Sequence, residues 1–298
     1  MDTNAELGQF LRSRRARLRP TDVGITAQRG AGRRIRRVEG LRREEVAHIS
    51  GVSVDYYARL EQGRTGQVSS EILAAIARAL RLDPTEQEYF FVLASGPTLG
   101  PFSTPEPTQQ VRPSVTRLLR SITDMPALVM GHGMQLLAMN EMAAALYFDI
   151  EAEPVRDRNL ARWTFLAPQA RERYADWEAV ASDAAAVLRA QVAGNRDDSF
   201  LNELIGELSV KSAEFRCLWS EHRVHTCTFD TQRFVHPIAG PLTLDYDALG
   251  VPGAPEQKLI TYSATAGSQS AEALTMLASW IATPAARTNA RTGSREIG

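Results

Sequence analysis

Along residues 6–18, ELGQFLRSRRARL, apolar side chains recur at Leu7, Phe10, Leu11 and Leu18. Arg12, Arg14, Arg15 and Arg17 fall largely elsewhere, which is the spacing of an amphipathic helix. Pro20 ends it. Residues 20–40 hold four glycines and five arginines with little periodicity and read as a basic loop. Leu41 to Ser50 returns to helical spacing, and Gly51 interrupts it. Ser53 is placed to cap the next helix, which runs through Gln62 and stops at Gly63. Residues 69–82 predict a fourth helix with Ile72, Leu73, Ile76 and Leu80 as its core stripe and Ser69 or Ser70 as its cap. Asp83 caps a fifth, which Pro84 opens at the first-turn position where proline is tolerated.

The pattern then breaks. Residues 96–113 carry five prolines and no periodic apolar face, the mark of a linker between a five-helix domain over 1–95 and a second domain over 114–283. In that second domain, residues 111–122 suggest a helix reaching back across the linker, and residues 127–139 two short strands around a Gly-His-Gly turn. Asn140 opens a short helix to residue 147, residues 169–193 make a long helix, and residues 199–208 another short one. From Glu214 the character shifts to β-favouring runs separated by turn residues. Residues 257–267 read as one more strand and 270–282 as a closing helix, so the domain is α+β with a small antiparallel sheet. The tail 284–298 is expected to be disordered.

Composition agrees with two domains in 298 residues, and a hydrophobic content of 44% is ample for packed cores. No stretch approaches the ~18 apolar residues of a membrane span, and the N-terminus lacks a signal-peptide design, so a cytoplasmic, DNA-associated location without membrane contact is expected. Cys217 and Cys227 read as ordinary reduced thiols. With two cysteines and no HExxH, neither a metal nor a cofactor is expected.

Charge adds more. The net charge of −1 conceals an N-terminal segment, residues 1–64, with 14 Arg and no Lys against 8 acidic residues. A basic segment on an acidic body suits a polyanion-binding module with a separate second function. The stretch LRREEVAHISGVSVDYYARLEQG (41–63) explains that module mechanically. A helix–turn–helix needs a small residue where its second helix crosses, a turn residue four positions on, and apolar groups after the turn. Ala47, Gly51 and the set Val52, Tyr57, Leu60 supply these, with Leu41 and Val46 completing the core. Val54, Asp55, Tyr56 and Arg59 are left exposed where such a helix enters a major groove.

GLRREEVAHISGVSVDYYARLEQGR (40–64) resembles the Cro/C1-type helix–turn–helix of XRE-family regulators and, more narrowly, the bacterial MmyB-like transcription regulators. The resemblance extends through LGQFLRSRRARLRP (7–20), ARALRLDPTEQEYFFVLA (77–94), PALVMGHGMQLLAMNEMAAAL (126–146), FLAPQARERYADWE (165–178) and FRCLWSEHRVHTCTFDTQRFVHPIAGPLTLDYDAL (215–249). It implies a sequence-specific regulator on a double-stranded DNA operator. Arg43, at the start of the first helix, would contact a phosphate or an outer base, with Arg42 and Ser53 also at the interface; Val54, Asp55 and Arg59 would face base edges with Tyr56 beside them. Gln62 and Arg64 would hold phosphate. Arg59 is the natural guanine reader, because its fork matches O6 and N7. Asp55 either accepts from a cytosine amine or merely caps the helix. Arg33, Arg34, Arg36 and Arg37, with Arg29, form an arginine-rich insert expected to follow the backbone or enter an adjacent minor groove.

The resemblance also implies a PAS-like ligand-binding domain with a small hydrophobic effector, such as a fatty acid; a homodimeric regulator is expected. Trp163, Phe165, Trp177, Phe215, Trp219, Phe229 and Phe234 either line a pocket or fill the core. His222, Arg223, His225 and Arg233 either meet an effector's carboxylate or lie on the surface, and His236 before Pro237 reads as a structural histidine. No GxSxG, Walker-type loop or GxGxxG supports an enzyme. The alternative to an effector-responsive regulator is a constitutive one whose second domain only dimerises.

Overall fold

The computed structural model describes residues 3–25, 40–64, 68–95, 110–194, 198–224 and 228–282. The arginine insert, most of the proline-rich segment and the tail lie outside them.

The first part is helical, with α1 (Thr3–Arg17), α2 (Arg43–Ser50), α3 (Val54–Glu61), α4 (Ser70–Ala79) and α5 (Pro84–Ser95). The starts of α3, α4 and α5 have the chemistry expected of them. Ser53 Oγ accepts from Tyr56 N at 3.1 Å, and Ser69 Oγ caps α4 by accepting from Ile72 N. Asp83 and Glu86 form a reciprocal capping box before Pro84–Ser95, with Glu86 N donating to Asp83 Oδ1 at 2.8 Å. Gly51 sits at φ 72°, ψ 21°, the left-handed conformation that lets the chain turn from α2 into α3 without a Cβ clash. Phe10, Leu41, Val46, Ala47, Tyr57 and Leu60 are wholly buried.

The second part is a five-stranded antiparallel sheet in the order β2-β1-β5-β4-β3, from β1 (Ala127–Met130), β2 (Leu136–Met139), β3 (Phe229–His236), β4 (Gly240–Val251) and β5 (Ala254–Ser263). One face is covered by α6 (Pro113–Ser121), which buries Leu119 against Val129 and Leu259. The other carries α7 (Glu141–Leu146), α8 (Leu160–Leu166), α9 (Pro168–Arg173), α10 (Trp177–Gly194), α11 (Ser199–Lys211), α12 (Ala213–Ser220) and α13 (Gln269–Ala282). Asn140 opens α7 by accepting from Ala143 N and also donates to the carbonyls of Ile122 and Met125, pinning the end of α6 to the start of β1.

Two expectations are corrected. The long helix over 169–193 is broken: α9 ends at Arg173, Tyr174 bridges to Phe234 in extended backbone, and α10 starts at Trp177. The run from Glu214 is helical through Ser220 rather than a strand. Ser212 caps it by accepting from Phe215 N, and this local bond outweighs the β propensity of Phe215, Cys217 and Trp219. In α1, Arg14 is 3% exposed and Arg15 half-buried, whereas Arg12 and Arg17 are exposed.

Candidate DNA interface and ligand domain

The faces of α3 are divided by burial. Tyr57, Leu60 and Glu61 are buried, whereas Val54 is 48% exposed, Asp55 and Arg59 are exposed and Tyr56 is half-buried. Tyr57 packs inward and its neighbour Tyr56 does not, so the adjacent tyrosines have different surroundings. Asp55 does not cap the helix: that position belongs to Ser53, and Asp55 stays on the open face. Gln62 forms the C-cap and Arg64 follows exposed, its N–H donating to Arg59 O at 2.8 Å.

Glu61 organises this arrangement, and sequence reasoning missed it. Fully buried, it accepts from Arg15 Nη2 at 2.8 Å and from Arg43 Nε at 3.0 Å. Arg15 also donates through Nη1 to Leu41 O at 2.7 Å. Arg43, 44% exposed at its side chain, is therefore committed through Nε to an internal bond rather than wholly free for phosphate. Arg42 precedes α2, its backbone N–H donating to Glu45 Oε2 and its guanidinium lying 3.4 Å from Glu44. Arg33, Arg34, Arg36 and Arg37 lie outside the described residues. The signal for Glu61 was available: an acidic residue on the buried side of a basic module requires cationic partners.

In the second domain the candidate residues separate into groups. Trp163 and Phe234 join an aromatic box with Tyr147, Tyr174 and Tyr262, whose neighbouring ring centroids lie 5.3–6.3 Å apart. The Tyr147 and Tyr262 hydroxyls are hydrogen-bonded, and burial raises the Tyr147 phenol well above its ordinary pKa. Tyr174 is 3% exposed; burial raises its phenol above the ordinary pKa, and hydrogen bonds with Tyr147 and Thr164 pull the other way. Nη1 of Arg173, next in sequence, has no hydrogen-bond partner among the described residues, and burial lowers this arginine's pKa against the opposing pull of Glu172. Neither tyrosine hydroxyls nor Arg173 figured among the sequence candidates. The alternation of Ile260 and Tyr262 on β5 was the signal for one of them.

Phe165, Trp177, Phe215 and Trp219 form a second aromatic chain beside the box, with Phe165 edge-on to Phe215 at 5.0 Å and Phe215 stacked on Trp219 at 5.3 Å. Phe229, 73% exposed at the start of β3, is not part of either group; its position on the outward side of the sheet edge excludes it from an internal pocket. The expected cationic cluster does not converge. Arg233 is ion-paired with Asp176 on the surface. Arg223 donates to Ser182 Oγ at 2.6 Å. His222 faces arginines of α1 and α10, and His225 lies outside the described residues. His236 is the structural histidine expected: buried, it accepts from Ile238 N and Ala239 N through Nδ1.

The Gly-His-Gly turn holds a further positioned group. His132 Nε2 lies 2.5 Å from Asp198 Oδ2 and its Nδ1 3.0 Å from Glu256 Oε2. Because Asp198 also caps α11, this histidine ties the β1–β2 hairpin to the start of that helix.

A tight helix–turn–helix with one buried and one open face, joined to an α+β domain with an aromatic interior, is the architecture of a DNA-binding regulator with a separate second domain. Residues 111–277, more than half of the chain, match the MmyB-like transcription regulator ligand binding domain, and residues 6–90 match a helix-turn-helix domain. The chain belongs to the MmyB-like helix–turn–helix transcription regulators. No curated protein matches it. No helix among the described residues is long and apolar enough to cross a membrane.

Proposed function

We propose that this regulator binds a double-stranded DNA operator as a homodimer and responds to a small hydrophobic effector with an acidic head, such as a fatty acid. The observation that carries the DNA half is the division of α3. Tyr57, Leu60 and Glu61 are buried and leave Val54, Asp55 and Arg59 on one open face, with Tyr56 at its margin. Arg59 reads a guanine through its fork, and Val54 meets a thymine methyl or a neighbouring sugar. Arg42, Ser53, Gln62 and Arg64 hold phosphates around this face, and the arginine insert adds sequence-independent contacts. Two copies on one operator follow from the two-fold symmetry such readers impose on their half-sites. The protein acts in the cytoplasm, at the nucleoid when bound, and catalyses no reaction.

Support for the effector half is the Tyr147–Trp163–Tyr174–Phe234–Tyr262 box and, next in sequence to Tyr174, Arg173 Nη1, which has no hydrogen-bond partner among the described residues. A buried donor without a partner costs free energy, and a carboxylate would satisfy Arg173 while its apolar body displaced or lined the rings. One observation favours the second reading, a constitutive regulator whose C-terminal domain only pairs two chains: ring contacts as close as 5.3 Å already fill the centre of the box.

Operator fragments selected from genomic DNA, followed by gel-shift titration with and without palmitate or a cell lipid extract, decide between them. A shift in operator affinity with one lipid fraction supports the effector reading. Affinity unchanged by every fraction supports the constitutive one. Failure to enrich any fragment contradicts the DNA assignment.

A further inference from the structure

The carboxyl end of α12 in the ligand domain is gripped by arginines of two other helices. Arg189 of α10 donates to Trp219 O through Nη2, Arg17 of α1 to Glu221 O at 3.2 Å, and Arg14 of α1 to His222 O at 2.6 Å. The end of a helix presents carbonyls without intrahelical partners and the negative pole of its dipole, so cations there are favourable. The grip is built into the interior. Arg189, 1% exposed, places its guanidinium carbon 4.0 Å from the centroid of the Trp219 ring and reaches back with Nη1 to Glu6 of α1 at 3.2 Å. Glu6 in turn accepts from Tyr89 of α5 at 2.8 Å, and Arg14 lies 3.1 Å from Glu86. Apolar packing follows the same line, with Ala193 of α10 and Val224 joining the core of the N-terminal helices.

Both sides of this junction lead to a functional site. On the ligand side, α12 is anchored by wholly buried Phe215, which packs against Phe165 of α8, the helix that also carries Trp163 of the aromatic box. On the DNA side, α1 holds the reading helix through Arg15 and Glu61 and lies against α3 at Gly8, where an added Cβ would fall 2.3 Å from Glu61 O.

We propose that the α12 end and its arginine clasp (Arg14, Arg17 and Arg189) form the mechanical link by which the C-terminal domain sets the posture of the DNA-reading helix. A displacement of α12 moves three hydrogen-bonded carbonyls at once, and α1 carries the change to α3 because both ends of α1 are bonded. The clasp itself rests only on the interdomain bonds; its use as an effector switch rests on the effector reading above.

Hydrogen–deuterium exchange on the full-length protein tests it. Glu6→Gln with Arg189→Met removes the buried charges as a pair, so that no lone ion is left inside. Arg17→Ala removes one exposed member of the clasp and leaves both cores intact. The clasp predicts about tenfold faster exchange in α1, α3 and the end of α12 for the paired variant, and about fivefold for Arg17→Ala, with β4 and β5 unchanged. If β4 and β5 also lose protection, the paired variant has loosened the whole fold and Arg17→Ala decides. Exchange in α1 and α3 equal to wild type for Arg17→Ala overturns the proposal. A palmitate arm separates the two readings. If the variants behave as expected but palmitate alters no peptide of the wild type, the clasp stands and the effector reading fails.

Discussion

Glu61 closes the reading helix by accepting from Arg15 at 2.8 Å while having no exposed surface of its own, and it takes Arg43 on its other oxygen. One carboxylate thus fixes the last turn of α3 to α1 and to the start of α2. Two arginines brought close together need a counter-charge, and a buried carboxylate needs hydrogen bonds on both oxygens; each requirement is met by the other. Glu61→Ala should cost on the order of 3 kcal/mol, because it leaves the arginines facing a void. Glu61→Gln should cost less, since the amide oxygen still accepts from one of them. Urea unfolding of both variants measures this, and a pair of midpoints equal to wild type would show that the carboxylate is not an anchor.

Gly8 marks how closely α1 and α3 approach. Its added Cβ would sit 2.3 Å from the backbone oxygen of Glu61, and backbone cannot swing aside as a side chain can. Gly8→Ala should therefore push the two helices apart at a cost of about 1–3 kcal/mol and weaken operator binding out of proportion to any change in helix content. Circular dichroism with gel-shift titration on the same sample reads both quantities.

Much of this module was legible because short-range chemistry decides it. Ala47, Gly51 and Ser53 act within a few residues of themselves, and the structure places each in the role its spacing implied. The ligand domain was legible where local signals dominate, as at Asn140 and the Gly-His-Gly turn. It was misread where they compete: Phe215, Cys217 and Trp219 favour strand, but the Ser212 cap makes their segment a helix. The burial of Arg14 was not legible for a different reason. Helical spacing shows which side Arg14 occupies, but the carboxylate and the helix end that receive it are 72 and 208 positions away, beyond the reach of any local pattern. Tyr147, Tyr174 and Tyr262 likewise converge only through the sheet order and the break between α9 and α10.

His222 reports on the junction between domains. Burial lowers its pKa from 6.5 to about 4, and the charges of Arg189, Arg14, Arg12 and Arg17 add to the effect. The folded chain therefore keeps it neutral where the unfolded chain would protonate it. Above pH 6.5 this makes no difference to stability; as pH falls toward about 4, the unfolded state binds the proton first and stability is lost. His222 also holds φ at 53°, a conformation asparagine tolerates better than most residues. His222→Asn should consequently show a smaller drop in melting temperature than wild type over that pH range. Equal drops would remove His222 from the account.

The arginine insert is expected to act through phosphates alone. Neutralising Arg34 and Arg36 together should weaken binding to operator and unrelated duplex alike and reduce the slope of log affinity against log salt by about 2. A loss confined to the operator would instead assign these arginines to base reading, as minor-groove arms.

The placement of the reading face is tested most directly by comparing wild type with Arg59→Ala in binding-site selection from random duplex DNA. The account predicts that Arg59→Ala weakens binding by about 1–3 kcal/mol and loses preference at one base pair of each half-site while the remaining positions keep theirs. Unchanged affinity together with an unchanged selected sequence would contradict it, and the open face of α3 would no longer be the surface that reads DNA.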